Sequence, residues 1–204
     1  MPSSPQRPEP VIPAAPGKRV LIAEDETIIR LDLRSMLEAS GYEVCGEASD
    51  GVEAVELAET LTPDAILMDV KMPRLDGIEA ARRILERRSL PIVMLTAFGQ
   101  EELVARAVDT GVFGYLAKPF REQDVIPALV AAQTRHAEFA EVKLQAASLL
   151  EALEARKAIE RAKGILMAKE GISEDEAFAR LRRASQKSGR PMKVIADAVA
   201  ATLG

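Results

Sequence analysis

The segment Asp64–Gly77, D-A-I-L-M-D-V-K-M-P-R-L-D-G, decides the fold of this chain of 204 residues. Within it, an apolar run from Ala65 to Met68, followed by Val70, surrounds the single carboxylate of Asp69. A short apolar run bounded by prolines predicts a strand that is buried on both faces, as in a parallel sheet covered by helices. Asp69 then lies at the carboxyl end of its strand, where open α/β sheets bind their ligands.

Other short apolar segments alternate with amphipathic stretches along the first part of the chain. Further strands are predicted at Lys18–Ala23, Glu43–Glu47, Pro91–Leu95 and Phe113–Ala117. Helices are predicted from Ile28 to Gly41, and at Gly51–Leu61, Gly77–Arg88 and Glu101–Thr110. This alternation predicts an α/β doubly wound parallel five-stranded sheet.

Polar side chains follow most of these strands at the point where each strand ends. Glu24 and Asp25 follow the first strand, Asp69 ends the third, Thr96 the fourth and Lys118 the fifth. Since the carboxyl ends of parallel strands share one edge of the sheet, these groups are expected in one crevice. Carboxylates held that close together favour Mg²⁺, and the site as a whole suits an incoming phosphoryl group. Any one of these carboxylates alone would be read as a solvated turn residue.

Four motifs in this order resemble the receiver domain of two-component response regulators, over residues 18–125. The motifs are V-L-I-A-E-D, L-M-D-V-K-M-P-R-L-D-G, V-M-L-T-A and Y-L-A-K-P-F. The resemblance implies a flavodoxin-like fold and makes Asp69 the phosphorylated residue. It also implies a Mg²⁺ site formed by Glu24, Asp25, Asp69 and the main-chain carbonyl of Lys71. Glu24 departs from the aspartate more often found at its position.

The same resemblance assigns a phosphorylation switch. Lys118 and Thr96 are expected to contact the phosphoryl group, and Tyr115 is expected to rotate inward when Thr96 moves. A plain packing role is the alternative for Tyr115. The Lys118–Pro119 bond is expected to be cis, as in the family.

A heptad pattern follows the receiver-like region. Its members are Val125, Ala128, Ala132, Phe139, Val142, Ala146, Leu149 and Leu153, with Arg135 at one seam position. The pattern predicts a long helix whose seam needs a partner, either a second copy of the protein or the chain's own C-terminal helices. His136, the only histidine, is interpreted as a solvated residue. The phosphate must then come from elsewhere, and a sensor histidine kinase is the expected donor.

Three helical pieces close the chain, and they predict a small three-helix all-α domain after the long helix. Ser173 and Glu176 form a capping-box pattern at the start of the second piece, and Pro191 opens the third. The runs A-K-G-I-L-M and A-F-A-R-L-R-R-A-S resemble the ANTAR domain, an RNA-binding antitermination module. The resemblance implies binding to paired RNA hairpins in transcript leaders.

The candidate RNA contacts combine cations with small residues that allow close approach. They are Arg156, Ala162, Lys163, Gly164, Arg182 and Arg183. Phe178, the only aromatic residue of this segment, is expected in its core. Residues 150–204 hold 11 Lys/Arg against 8 Asp/Glu, a balance of +3 within a chain of net charge −5.

The predicted organisation is a disordered proline-rich tail at 1–17, a receiver domain at 18–125, a helical coiled-coil linker at 126–148 and an ANTAR domain at 149–204. No apolar run is long enough to span a membrane, residues 1–16 lack a signal-peptide core, and the single cysteine, Cys45, fits a reducing compartment. A cytoplasmic location is therefore expected. The leading hypothesis is a phosphorylation-dependent RNA-binding antiterminator that is not an enzyme. A DNA-binding response regulator and a protein–protein signalling adaptor are the alternatives.

Overall fold

The structure is a computed structural model that describes residues 19–97 and 111–203. The proline-rich tail predicted at 1–17 and the helix predicted at Glu101–Thr110 lie outside the described residues.

One five-stranded parallel sheet organises the first part of the chain, as predicted. The strands are β1 (Arg19–Ala23), β2 (Glu43–Ala48), β3 (Ala65–Asp69), β4 (Ile92–Ala97) and β5 (Gly114–Lys118). Their order across the sheet is β2-β1-β3-β4-β5, and every neighbouring pair is parallel. The apolar strand β3 therefore occupies the centre, and each of its residues is buried.

Six helices are described. They are α1 (Thr27–Ala39), α2 (Gly51–Leu61), α3 (Gly77–Arg87), α4 (Glu122–Glu170), α5 (Glu174–Ser188) and α6 (Met192–Leu203). Asp50 and Asp76 cap α2 and α3 with their side chains, because each carboxylate accepts hydrogen bonds from backbone amides of the first helical turn. The sheet and these helices confirm the predicted fold class.

Two apolar layers cover the sheet. Alternate residues of a strand point to opposite faces, so Ile66 joins one cluster with residues of α2 and α3, whereas Leu67 joins the other with residues of α1. The second cluster also receives Val125 and Leu129 from the beginning of α4. The sheet is thus buried on both faces, which explains why its central strands are apolar without alternation.

The beginning of α4 corrects the first part of the predicted seam. Val125 and Ala132 are buried in the cluster that covers the sheet, and Ala128 packs against the same cluster. This part of the heptad pattern therefore packs within the receiver-like unit and is not available to a coiled-coil partner. His136 is also only half-exposed: its Nε2 lies 3.0 Å from Ser89 Oγ, and its ring packs edge-on against Phe113 with centroids 5.0 Å apart.

The chain divides into two compact units, Met1–Glu138 and Phe139–Gly204, with the division inside α4. The second unit has a small core formed by Ala162, Leu166, Ala177, Leu181 and Ala196. Ser173 caps α5 by accepting a 3.3 Å hydrogen bond from the Glu176 amide, as the capping-box pattern predicts.

Candidate functional site

The register of the sheet brings the predicted polar groups to one edge. Ala23 of β1 pairs with Met68 of β3, so Glu24 and Asp69 follow directly at neighbouring strand ends. On the other side of β3, Thr96 of β4 lies opposite Ala117 of β5, one residue before Lys118. Because the parallel strands end at the same edge of the sheet, these groups lie close together although they are far apart in sequence.

Three carboxylates and one ammonium form the centre of this edge. Ligand oxygens of Glu24, Asp25 and Asp69 all lie within 4.8 Å of one another. The Nζ of Lys118 lies 2.7 Å from Glu24 Oε2 and 3.0 Å from Asp69 Oδ2. Glu24 and Asp69 are buried, whereas Asp25 is exposed at the mouth.

Burial dominates the acid–base properties of the site. It raises the pKa of both Glu24 and Asp69, although Lys118 opposes the change in each case. Burial by itself would lower the pKa of Lys118, but its contacts with Glu24 and Asp69 outweigh this and raise that pKa. The two buried carboxylates are thus held in a site that disfavours their charged forms.

The donor set fits Mg²⁺. Three carboxylates against one ammonium leave a formal excess of two negative charges, which is the charge that a divalent cation neutralises. Glu24 Oε2 is buried and lies 2.7 Å from the Lys118 ammonium, but it has no hydrogen-bond partner of good geometry, so its charge is only partly satisfied. Magnesium prefers such oxygen ligands and keeps several waters, which the exposed side of Asp25 allows.

A crevice of about 260 Å³ adjoins these carboxylates and is lined by Asp25, Glu26, Asp69, Lys71, Ala97 and Lys118. Its size is sufficient for a phosphoryl group and several waters. Lys71, the residue expected to supply a carbonyl ligand, therefore lies at the site. Its backbone N–H also bonds the Asp69 carboxylate and opposes the rise of the Asp69 pKa.

The predicted switch residues lie on β4 and β5, the strands that end in the crevice-lining residues Ala97 and Lys118. Thr96 is buried, and its hydroxyl donates a 3.0 Å hydrogen bond to the carbonyl of Ala97. Tyr115 is 59% exposed, so its ring lies outward in this structure. The Lys118–Pro119 bond is cis, as expected from the resemblance.

The candidate RNA-binding residues of the second unit do not share one environment. Arg156, Gly164, Arg182 and Arg183 are exposed, and a Cβ added to Gly164 would meet no atom within 4 Å. Ala162, by contrast, is completely buried in the core of the unit. The prediction that Ala162 contacts RNA does not fit this position, because its side chain has no surface to offer.

Lys163 is also turned inward. Its Nζ lies 2.8 Å from Glu160 Oε1 and 2.6 Å from Glu174 Oε1, and only 8% of the residue is exposed. These two carboxylates raise the pKa of Lys163. The side chain therefore links α4 to the first turn of α5, whereas the sequence analysis predicts that Lys163 contacts RNA.

Phe178 is on the surface and not in the core where the sequence reasoning places it. It is 41% exposed on α5, and Arg182 lies one turn later on the same helix. The apolar positions that do enter the core are Ala177 and Leu181. Phe178 therefore lies at the edge of the buried face of α5.

Comparison with known protein families assigns a domain family to each unit. Residues 20–130 match the response regulator receiver domain, and residues 147–199 match the ANTAR domain. The chain is a response regulator. Its receiver match covers more than half of the chain and ends within the buried part of α4.

Nearly the whole response regulator matches one relative. It is 52% identical over 191 residues to the transcriptional regulatory protein PdtaR of Mycobacterium tuberculosis H37Rv, covering 94% of this chain and 93% of PdtaR. The order of a receiver domain followed by an ANTAR domain is thus that of a PdtaR-like regulator.

Solved structures resemble the receiver domain of this response regulator. The signal receiver domain of a modulated diguanylate cyclase from Desulfovibrio desulfuricans G20 is 37% identical, with a TM-score of 0.55, and the match covers 58% of this chain and 95% of that one. A chain from the CheX–CheY–BeF3–Mg²⁺ complex of Borrelia burgdorferi is 26% identical, with a TM-score of 0.54, covering 56% of this chain and 87% of that one.

Among residues 19–97 and 111–203, no helix combines the length and apolar character needed to cross a bilayer.

Sequence reasoning missed one residue of the receiver site. Arg30 of α1 donates a 2.5 Å hydrogen bond from Nη1 to the carbonyl of Glu24, and its Nε lies 3.0 Å from Glu47 Oε2. The guanidinium thus fixes the backbone at Glu24. No local signal could reveal this, because Arg30 and Glu47 lie 17 residues apart.

Proposed function

We propose that this response regulator is an RNA-binding transcription antiterminator whose RNA affinity is controlled by phosphorylation of Asp69. The observation that carries the proposal is the position of Asp69, 3.0 Å from the Lys118 ammonium and within 4.8 Å of two further carboxylates. The match of residues 147–199 to the ANTAR domain supports RNA as the output ligand.

The proposed reaction is transfer of a phosphoryl group from a phosphohistidine of a sensor histidine kinase. An Asp69 oxygen attacks phosphorus, a P–O bond forms and the P–N bond breaks. The leaving nitrogen keeps the electron pair of the broken bond, and Asp69 becomes an acyl phosphate. Lys118 is placed to offset charge on the phosphoryl oxygens.

Glu24, Asp25, Asp69 and the Lys71 carbonyl would hold Mg²⁺ in this site. The ion would supply positive charge beside the transferred group. Its proposed role agrees with the Mg²⁺ and BeF3 named for the related chain from Borrelia burgdorferi.

The proposed switch couples the buried site to the outward Tyr115. An acyl phosphate at Asp69 offers oxygens that attract the Thr96 hydroxyl away from the Ala97 carbonyl. Movement of Thr96 vacates space into which Tyr115 can rotate. Phosphorylation then shifts the population between two packings of the β4–β5 edge.

The proposed RNA surface consists of the exposed residues Arg156, Gly164, Arg182 and Arg183. Arginine side chains can pair with phosphates and stack on unpaired bases, and Gly164 permits close approach of the RNA backbone. Ala162 and Lys163 lie beneath this surface and are proposed to hold α4 against α5.

A second copy of the chain is the proposed partner of the exposed part of α4. Phe139, Val142, Leu149 and Leu153 are each at least 49% exposed and follow the 3-4 spacing of a coiled-coil seam. Glu138 and Lys143 lie five residues apart beside this seam, the spacing that pairs opposite charges between the two helices of a parallel dimer. This self-complementarity favours a homodimer.

Phosphorylation is tested with acetyl phosphate and Mg²⁺, followed by intact-protein mass spectrometry. The wild type should gain one phosphoryl group, and Asp69→Asn should gain none. Asp64→Asn is the matched control, because Asp64 precedes the same strand at its other end and bonds the Arg19 amide at 2.9 Å. Phosphate uptake by Asp69→Asn equal to that of the wild type would place the acceptor elsewhere.

RNA binding is tested by titrating a double-hairpin RNA at several salt concentrations, with and without phosphorylation. Arg182→Ala should weaken binding and reduce the slope of log K against log salt by about 1. Arg88→Ala removes an exposed cation of the receiver domain that lies outside both the proposed RNA surface and the proposed seam, and it should leave both unchanged. Equal affinity for duplex DNA would instead support a DNA-binding regulator, and no nucleic-acid binding would support an adaptor.

The dimer is tested by light scattering with and without beryllofluoride, a mimic of the acyl phosphate. Replacing Leu149 and Leu153 by glutamate should give monomers under conditions in which the wild type forms dimers. A wild type that is monomeric in both conditions would contradict the proposed partner.

A cytoplasmic location is proposed as well, because both the kinase donor and the nascent transcript would be met there.

A further inference from the structure

The loop between β3 and α3 contains a strained turn. The amide of Leu75 donates a 2.7 Å hydrogen bond to the carbonyl of Pro73, which closes a turn of three residues around Arg74. Arg74 has a φ of 63°, in the left-handed region that is unfavourable for residues other than glycine. A turn of this kind is rare and persists only when its surroundings hold it.

An ion pair with Asp50 holds this turn. Asp50 is only 5% exposed, and its Oδ1 accepts hydrogen bonds of 2.9 and 3.0 Å from the amides of Val52 and Glu53. Its other oxygen, Oδ2, pairs with the Arg74 guanidinium. Burial would by itself raise the pKa of Asp50, but the bonds from Arg74 and the two amides outweigh it and lower that pKa.

The loop also packs directly against the start of α2. A Cβ added to Gly51 would lie 2.1 Å from the carbonyl oxygen of Leu75, so the two backbones are in contact there. Asp50, which bonds Arg74, is the residue immediately before Gly51. The position of the loop is therefore fixed by two neighbouring residues at one point of α2.

The same loop carries Lys71 to the phosphorylation site. The Lys71 amide bonds the Asp69 carboxylate, and Lys71 lines the crevice beside it. At the other end of the loop, the Gly77 amide donates a 2.9 Å hydrogen bond to the carbonyl of Val70. Displacement of the turn around Arg74 would therefore reorient the peptide groups next to Asp69.

We propose that Arg74 and Asp50 are positioning residues that hold the Lys71 peptide group in the geometry required for Mg²⁺ binding. Neither residue lines the crevice beside Asp69. An exposed ion pair usually contributes little, but here the carboxylate is buried, hydrogen-bonded and attached to a strained turn. The inference rests on the proposed Mg²⁺ site and adds residues that the receiver motifs do not assign to it.

The test is Mg²⁺ affinity measured by isothermal titration calorimetry on the full chain. Arg74→Ala removes the pair and should weaken Mg²⁺ binding by about 10-fold or more, the range found when groups that orient metal ligands are removed. Arg74→Lys should restore part of the loss. Arg87→Ala is the matched control. Arg87 pairs with Glu59 at 2.5 Å near the C-terminal ends of α3 and α2, whereas Arg74 and Asp50 lie before the N-terminal ends of these helices. Arg87→Ala should bind Mg²⁺ like the wild type.

A second measurement separates positioning from plain stabilisation. The rise in unfolding temperature caused by Mg²⁺ should be smaller in Arg74→Ala than in the wild type. A merely structural pair would lower both unfolding temperatures and leave that rise unchanged, which would overturn the inference. Arg74→Gly relieves the strained φ but still lacks the guanidinium, so it should regain stability and bind Mg²⁺ more tightly than Arg74→Ala but more weakly than the wild type.

The outcomes distinguish this inference from the proposed function. If the wild type itself binds no Mg²⁺, the metal site of the proposed function fails. If the wild type binds Mg²⁺ and Arg74→Ala binds it equally well, the positioning role alone fails. Asp50→Asn in the Arg74→Ala background should add little further loss, because both changes break the same pair.

Discussion

Replacing Gly77 by alanine would test how closely Asp69 is built into the fold. A Cβ on Gly77 would lie 1.8 Å from the carbonyl oxygen of Asp69 and 2.9 Å from its carbonyl carbon. Both are backbone atoms, so no side chain can rotate to relieve the clash. The end of β3 and the start of α3 would have to separate by more than about 1 Å to reach ordinary contact.

The expected cost of Gly77→Ala is the sum of two effects. Overpacking against backbone contributes about 3 kcal/mol, at the upper end of the usual range. Weakening of the 2.9 Å hydrogen bond from the Gly77 amide to the Val70 carbonyl contributes about 1 kcal/mol. The unfolding temperature of the receiver domain should fall by roughly 15 °C in scanning calorimetry. Phosphorylation should also slow, because the shift displaces Asp69.

Gly164→Ala is the matched control. It makes the same chemical change inside a helix where no atom lies within 4 Å of the added Cβ. Alanine should there stabilise α4 by about 0.5–1 kcal/mol. The reasoning would be refuted if Gly77→Ala and the wild type unfolded at the same temperature, or if both glycine substitutions changed stability in the same direction.

Three further predictions follow from burial and protonation. Because the folded-state pKa values of Glu24 and Asp69 are raised, the native state binds more protons than the unfolded state. In EDTA, the contribution of these two groups to the free energy of unfolding should therefore increase as pH falls through their folded-state pKa values. The urea midpoint should show this increase in the wild type and a smaller one in Asp69→Asn. Burial lowers the pKa of His136, so stability should be lost as pH falls below about 6.5, and His136→Gln should lose less in the same urea titration. Leu181→Ala removes a buried side chain of a small core and should lower the calorimetric stability of the second unit by about 2–5 kcal/mol.

Each of these predictions has a result that contradicts it. Acid stabilisation that is equally strong in Asp69→Asn would assign the protons to other groups. An identical pH dependence in His136→Gln would remove His136 as the cause. Val194→Ala is the control for Leu181→Ala, because Val194 is 43% exposed. Equal losses in both variants would mean that the core assignment of the second unit is wrong.

Much of the receiver domain could be predicted from local sequence. The apolar run of β3 is long enough for one strand and lacks the alternation of a half-exposed one, so it predicted a strand buried on both faces. Parallel strands end at a common edge, so the polar residues after them were predicted to meet. In the structure Glu24, Asp25 and Asp69 do meet, and Lys118 joins them.

The second unit shows where such reasoning stops. Periodicity marks which residues of α5 are apolar, but it does not specify how far the covered face extends, so Phe178 was assigned to the core and lies 41% exposed. A cation in a basic segment predicts an anionic ligand, yet Lys163 satisfies its charge with Glu160 and Glu174. The partner on α5 becomes close only when the helices pack.

The sequence by itself determined the order of strands and helices along the chain, the strand end at which each polar site residue lies and the Ser173 cap, because each of these depends on residues close together in the chain. Tertiary structure alone decided that the first heptad positions of α4 cover the sheet, that Arg30 fixes the Glu24 backbone and that Arg74 reaches Asp50. The physical reason is that a side chain's charge and shape are local properties, whereas its partner is chosen among groups that only folding brings within a few ångströms.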